Sequence, residues 1–197
     1  LITRPRRFGK TLGMSMLAHF FDIEKDNRAL FEELEISKQK ELCVQWMNQY
    51  PVIFLTFKKV DGLNFKSAYE MLEATIAEFC QRHSFLMESK KIAKEQKEVF
   101  QRLKECRASG TELKNSLEFL ARMMQIHYGK QVILLLDEYD VPIAKASSNG
   151  YYKEMLEVMK AMLGSSLKDN PSVKFAVITG CLKVAKESIF TGTNNFV

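Results

Sequence analysis

Val132 to Leu136 read V-I-L-L-L, five apolar residues without polar alternation, and the chain then passes directly to Asp137-Glu138. A strand that is apolar on both faces has to be covered on both faces, as in a parallel sheet packed between helices. Two further runs have the same character. VIFLTF, Val52 to Phe57, follows Pro51, and KFAVIT, Lys174 to Thr179, is closed by Gly180. Leu1 to Thr3 has the composition of the end of a fourth strand. Strands of this kind, separated by long helical intervals, predict an α/β chain: a three-layer α/β/α fold with a mostly parallel sheet.

The intervals carry helical spacing. Lys10 to Phe21 places Leu12, Met16, Leu17 and Phe20 at helical intervals. Residues 28 to 48 read as two short helices. Asn64 to about Arg107 reads as two helices broken near Ser89, and Ser109-Gly110-Thr111 is a turn and cap signal for a helix to Tyr128, stopped by Gly129-Lys130. Ser147 to Gly150 reads as a turn before a helix to Leu167, which Asp169-Asn170-Pro171 breaks. The tail from Cys181 to Val197 is expected to hold a short helix and a Gly-Thr-Asn-Asn loop. With 197 residues, 46% of them hydrophobic and 27% charged, one domain with a sizeable core is expected. The chain opens at Leu1 inside a motif and without an initiator Met. The expectation is therefore a single domain over residues 1–197, truncated at both ends.

The amino-terminal stretch TRPRRFGKT ends in Gly9-Lys10-Thr11 at a strand-to-helix junction. Such a junction suits a phosphate-binding loop. Helix N-terminal amides point at the anion, the helix dipole favours negative charge, lysine reaches the β and γ phosphates, and the threonine hydroxyl binds Mg²⁺. By average composition the tripeptide alone occurs in roughly one chain in ten of this length, so it needs a partner. Asp137 and Glu138 supply one. A P-loop enzyme uses an acid at the end of a buried strand on the metal side, and a second acid can deprotonate the attacking water. The interval between Lys10 and Asp137 leaves room for the Val52–Phe57 strand, which makes the acidic strand the third in sequence. That is the additional-strand arrangement of P-loop NTPases, and it requires the next strand to lie between the phosphate-loop strand and the acidic one. Thr179 then ends that strand as a γ-phosphate sensor or, equally, as a simple cap.

The combination LITRPRRFGKT, VILLLDEYDVPI and VITGCLKVAKESIFTGTNNF resembles the bacterial and archaeal AAA-ATPase-like family over nearly the whole chain. That family typically carries a C-terminal nuclease-like domain of the PD-(D/E)XK type. Its phosphate loop has arginine where the general pattern has its first glycine, so Arg4 agrees with the family and departs from the general motif. The resemblance implies ATP and Mg²⁺ as ligands and an AAA-like, additional-strand fold. It implies phosphate contacts from Phe8, Gly9, Lys10, Thr11 and Leu12, metal contacts from Thr11 and Asp137, and catalysis by Lys10 and Glu138 with Thr179 as sensor. Arg6 and Arg7 either bond the phosphates, or pair with Asp137, Glu138 or Asp140, or face solvent. Nuclease chemistry is not assigned to these residues.

The remaining signals are weaker. A net charge of +5 suits a polyanion only mildly. Lys90 to Arg107 is basic, but Glu95, Glu98 and Glu105 are interspersed, which describes a solvated helix face better than a nucleic-acid groove. Nucleic acid contacted through the full-length protein, and a homo-oligomer, remain expectations for partners. Cys43, Cys80, Cys106 and Cys181 lack C-x-x-C spacing, and His19, His83 and His127 are isolated, so neither a zinc site nor a disulfide framework is expected. Of the ten methionines, Met14, Met16, Met71, Met123, Met124, Met155, Met159 and Met162 lie in helical patterns and read as core filling. Lys183 and Lys186 read as surface residues rather than as a finger at a subunit boundary. No apolar run reaches membrane-spanning length, and a reduced, cytoplasmic setting is expected. Two rival readings stand beside the ATPase: a nucleotide-binding switch or scaffold with little turnover, and a nucleic-acid-binding domain with a vestigial P-loop.

Overall fold

The three apolar runs form the long strands of one parallel sheet: β2 (Val52–Thr56), β3 (Val132–Asp137) and β4 (Val173–Gly180), with the two-residue β1 (Ile2–Thr3) at the edge. The computed structural model describes residues 2–3 and 8–181. The strand order is β1-β4-β3-β2, so β4 lies between β1 and β3, the position expected of the strand that ends in Thr179. The register aligns Ile2 with Thr179, Leu136 with Ile178, and Thr56 with Asp137. The carboxyl end of β3 and the hydroxyl at the end of β4 therefore arrive side by side.

All six residues of β3 are buried. Because successive side chains alternate between faces, Val132, Leu134 and Leu136 join the larger core with Ile53, Leu72 and Met159. Ile133 and Leu135 join the smaller core with Met14, Phe20 and Phe21. Burying each such aliphatic side chain is worth roughly 1.5–3 kcal/mol. β3 is thus held from both sides, and its polar end is positioned by a rigid centre.

The smaller core lies beneath α1 (Lys10–Phe21) and α2 (Lys40–Trp46), joined through two 3₁₀ turns, Arg28–Phe31 and Glu35–Lys38. The opposite face carries α3 (Phe65–Arg82), α4 (Lys94–Lys104), α5 (Gly110–Lys114), α6 (Ser116–Tyr128), α7 (Val141–Asn149) and α8 (Tyr152–Leu167). Helices on both faces of a parallel sheet give the α/β class read from the sequence. α3 starts at Asn64, whose side chain accepts from the Ser67 amide at 2.9 Å. α5 starts at Ser109, in a reciprocal box with Glu112. Each such cap satisfies amides that a helix start leaves open.

Three local expectations change. Residues 28–48 hold one short α-helix and two 3₁₀ turns, because these four-residue pieces close i→i+3 bonds such as Ser37 N–H to Leu34 C=O at 2.9 Å. The helix expected up to Tyr128 is broken at Asn115 into α5 and α6. Ser147 to Asn149, read as a turn, form the last turn of α7. The Ser148 hydroxyl donates back to the Ala144 carbonyl at 3.2 Å, and Gly150, with φ of 82°, ends the helix in the left-handed conformation.

Most methionines are core residues, but Met16 and Met71 are exposed. The basic run is a mixed-sign face: Arg102 pairs with Glu112, Arg107 with Glu105, and Lys94 with Glu98. Among the described residues no helix is long and apolar enough to cross a membrane. The expected helix and loop after Cys181, with Lys183 and Lys186, lie outside the described residues.

Candidate functional site

Gly9 stands immediately before α1 with φ 71° and ψ 12°, a left-handed conformation. A side chain there would find open space, with nothing within 4 Å. The backbone angle, and not crowding, is therefore what favours glycine. No side chain caps α1 and no acidic residue occupies its first turn. An α-helix start of this kind presents amides and the positive end of the dipole to an anion. Phe8 and Leu12 flank it, both two-thirds exposed at 67%. Arg6 and Arg7, read as phosphate contacts, as partners of the acids or as solvent-facing, lie outside the described residues.

Thr11, in the first turn of α1, donates its hydroxyl to Asp137 Oδ2 at 2.8 Å. Thr179 donates its hydroxyl to the other carboxylate oxygen, Oδ1. Asp137 and Thr179 are each 1% exposed. A buried carboxylate is costly unless hydrogen-bonded or paired, and here each oxygen accepts one hydroxyl. The arrangement fits a hard cation. A hydroxyl that donates its proton keeps its lone pairs, and a carboxylate oxygen that accepts one bond retains a further acceptor position. Oxygen donors of this kind suit Mg²⁺, which keeps several waters and takes few protein ligands. No group of three or more His, Cys, Asp or Glu able to hold a metal is found among the described residues. A magnesium held between protein and phosphate does not require one.

Lys10 extends toward the exit of β4, where its Nζ donates to Cys181 Sγ at 3.4 Å. Glu138 follows Asp137 directly and is half-buried, with φ of 53°. A left-handed conformation is unfavourable for a residue with a Cβ, so neighbouring contacts have to maintain it. Tyr139 N–H donates to the Thr179 carbonyl at 3.2 Å, and Val141 N–H donates to the Glu138 carbonyl at 3.1 Å. Tyr139 is fully buried, and burial, aided by the neighbouring Asp140 charge, pushes its phenol up to about 12. Asp140, 3% exposed, accepts the Cys181 amide at 2.9 Å through Oδ2.

The structure therefore brings Thr11, Asp137 and Thr179 into one hydrogen-bonded group, with Lys10 beside it and Glu138 on the adjoining turn. Sequence reasoning treated Asp140 only as an optional arginine partner, and it gave Tyr139, Gly180 and Cys181 no role at the site. The available signal was an aspartate just before the Val141-Pro142 helix start.

Comparison with known proteins supplies the rest. A protein of Azotobacter chroococcum mcd 1, named "Uncharacterized protein in vnfD 5'region", is 30% identical over 195 residues, which is 98% of this chain and 32% of the relative. The chain thus spans about a third of that protein's length. No solved structure matches. A family model described as "Predicted AAA-ATPase" matches residues 1–190. Gly9-Lys10-Thr11, Asp137 and Thr179 all lie inside that match, and the chain belongs to the AAA-ATPase-like family.

Proposed function

We propose that this protein binds Mg-ATP at the amino end of α1 and hydrolyses it to ADP and phosphate. The observation that carries the reading is the meeting of Thr11, Asp137 and Thr179 at an uncapped helix start. The amides after Gly9 bind phosphate oxygens, flanked by Phe8 and Leu12, and Lys10 leaves the Cys181 sulfur to reach the β and γ phosphates as a mobile charge. Thr11 and Asp137 hold the metal, which when bound neutralises phosphate charge and orients the γ-phosphoryl group. Glu138 accepts a proton from the attacking water as the oxygen–phosphorus bond forms and the bond to the ADP oxygen breaks. Thr179, whose proton is donated to Asp137 here, turns it to the γ-phosphate when ATP is bound and so distinguishes ATP from ADP. A single domain over residues 1–197 is assigned this role.

By family resemblance, turnover drives or times a downstream effector of nuclease type. The relative's additional length is consistent with further domains in such proteins.

The test is Mg²⁺-dependent phosphate release by the full-length protein, with Glu138→Gln beside wild type. Wild type should turn over, and the variant should bind ATP and release at least about a hundredfold less phosphate. If both bind ATP and neither hydrolyses it, the protein is a nucleotide switch or scaffold instead. If neither binds, the nucleotide reading fails.

A further inference from the structure

Two segments meet at the candidate site: the turn Glu138-Tyr139-Asp140 after β3, which carries the proposed base, and Thr179-Gly180-Cys181 at the end of β4, which carries the proposed sensor. They are joined at three points. Tyr139 N–H donates to the Thr179 carbonyl at 3.2 Å. The Cys181 amide donates to Asp140 Oδ2 at 2.9 Å. Between these bonds Gly180 lies so close that a Cβ on it would be 2.5 Å from Tyr139 Cε1 and 2.7 Å from Asp140 Oδ1. Real Cβ atoms do not approach so closely, so the fit depends on glycine.

This clasp holds two elements of the proposed chemistry against each other. On one side is Glu138, in its left-handed backbone conformation. On the other are Thr179, bonded to Asp137, and Cys181, whose sulfur accepts from Lys10. Neither Glu138 nor Cys181 lies inside a strand or helix, so the sheet ladder alone does not fix them. Of the three joining points, the bond from Cys181 to Asp140 is the one made by a charged side chain. Such a bond to a buried carboxylate is stronger than one between neutral groups.

We propose that Asp140 is a positioning residue for ATP hydrolysis. By taking the Cys181 amide it locks the exit of β4 to the Glu138 turn, so that base and sensor hold one geometry. The proposal rests on the ATPase reading. It assigns Asp140 no contact with nucleotide or metal, and its effect therefore belongs in turnover and not in affinity.

The experiment compares Asp140→Ala and Asp140→Asn with wild type in the full-length protein. Three quantities are read: affinity for a fluorescent ATP analogue with Mg²⁺, steady-state kcat and KM for phosphate release, and the hydrogen-exchange rate of the Cys181 backbone amide. Asp140→Ala should lower kcat about tenfold, the equivalent of one charge-assisted hydrogen bond. Analogue affinity and KM should stay within about threefold. Its Cys181 amide should exchange at least about threefold faster. Asp140→Asn, which retains an acceptor oxygen, should recover most of kcat and the slow exchange.

The two readings fail in different ways. If wild type binds ATP but does not hydrolyse it, the ATPase reading fails, while the exchange rates still judge the clasp. Unchanged exchange in Asp140→Ala overturns the clasp. Faster exchange with unchanged kcat overturns the positioning role, and so does a loss that falls on analogue affinity alone. Should the alanine variant not fold, asparagine still decides: kcat and exchange near wild type support the clasp, and a loss of kcat with faster exchange, as large as predicted for alanine, overturns it.

Discussion

Thr11 donates its hydroxyl proton to Asp137 at 2.8 Å, although 126 positions separate them in the chain. The bond joins the first turn of α1 to the end of β3. Thr11→Val keeps the shape and removes the donor. It should weaken Mg²⁺-dependent ATP binding by about tenfold or more, and lower stability by about 1–3 kcal/mol, because Asp137 stays buried with one hydroxyl fewer. Thr11→Ser should restore both. Nucleotide titrations with Mg²⁺ and with chelator, beside urea unfolding, give the answer; valine binding as tightly as wild type in Mg²⁺ would contradict the assignment.

Glu138 offers a separation of stability from activity. Its φ of 53° disfavours any residue with a Cβ. Glu138→Gly should remove that strain and, after the added flexibility of the unfolded chain is subtracted, stabilise the fold by about 0.5–1 kcal/mol. It should also abolish phosphate release. Glu138→Gln keeps the Cβ and should leave thermal stability unchanged while giving the same loss of turnover. Thermal melts of the three proteins test this; a glycine variant less stable than wild type would show that the side chain has a structural role.

Gly180→Ala tests the close approach at the end of β4. The new methyl would meet the fully buried Tyr139 ring and the buried Asp140 carboxylate. Rings and carboxylates held in a core cannot yield cheaply, so a loss of about 1–3 kcal/mol is expected. A urea midpoint equal to wild type would mean that the turn relaxes freely.

Much of this arrangement was legible in the sequence, for identifiable reasons. α1 and the three long strands carried their own signals: a glycine before a periodic run, and apolar stretches too continuous to face water. Thr11, Asp137 and Thr179 could be named because each sits at the end of such an element. α7 was hidden because Ser147, Ser148 and Asn149 have turn composition. Their helical state depends on a bond back to Ala144 and on burial of Ile143 and Ala146. Asp140, Gly180 and Cys181 were hidden for another reason. Their roles arise from β4 lying beside β3, and no local spacing records which two turns will touch.

Away from the site, Glu112 gives a pH prediction. Its carboxyl is held down at about 2, chiefly by the Arg102 guanidinium and then by the Ser109 amide. A depressed folded-state value means that the contribution is complete above the unfolded value, near 4.5, and is lost as pH falls toward about 2. Arg102→Gln should therefore lower the melting temperature above pH 4.5, and the gap to wild type should close on acidification. Because both side chains are partly solvated, added salt should shrink it as well. A gap that stays constant across this range would show that the pair contributes through packing alone.

The placement of β4 also has a consequence for folding fidelity. Strands β1 and β3 are not neighbours in the sheet, and β4 is the strand that pairs with both. A slip of one residue in β4 would bring Ile178 or Gly180 to the place of Thr179, offering Asp137 a hydrocarbon or nothing in place of a hydroxyl. It would also turn the strand's alternate side chains toward the wrong layers. A misthreaded molecule thus loses one of its acid's two hydroxyl partners and its packing together, so the same alignment that makes the sheet sound also proofreads the chemistry.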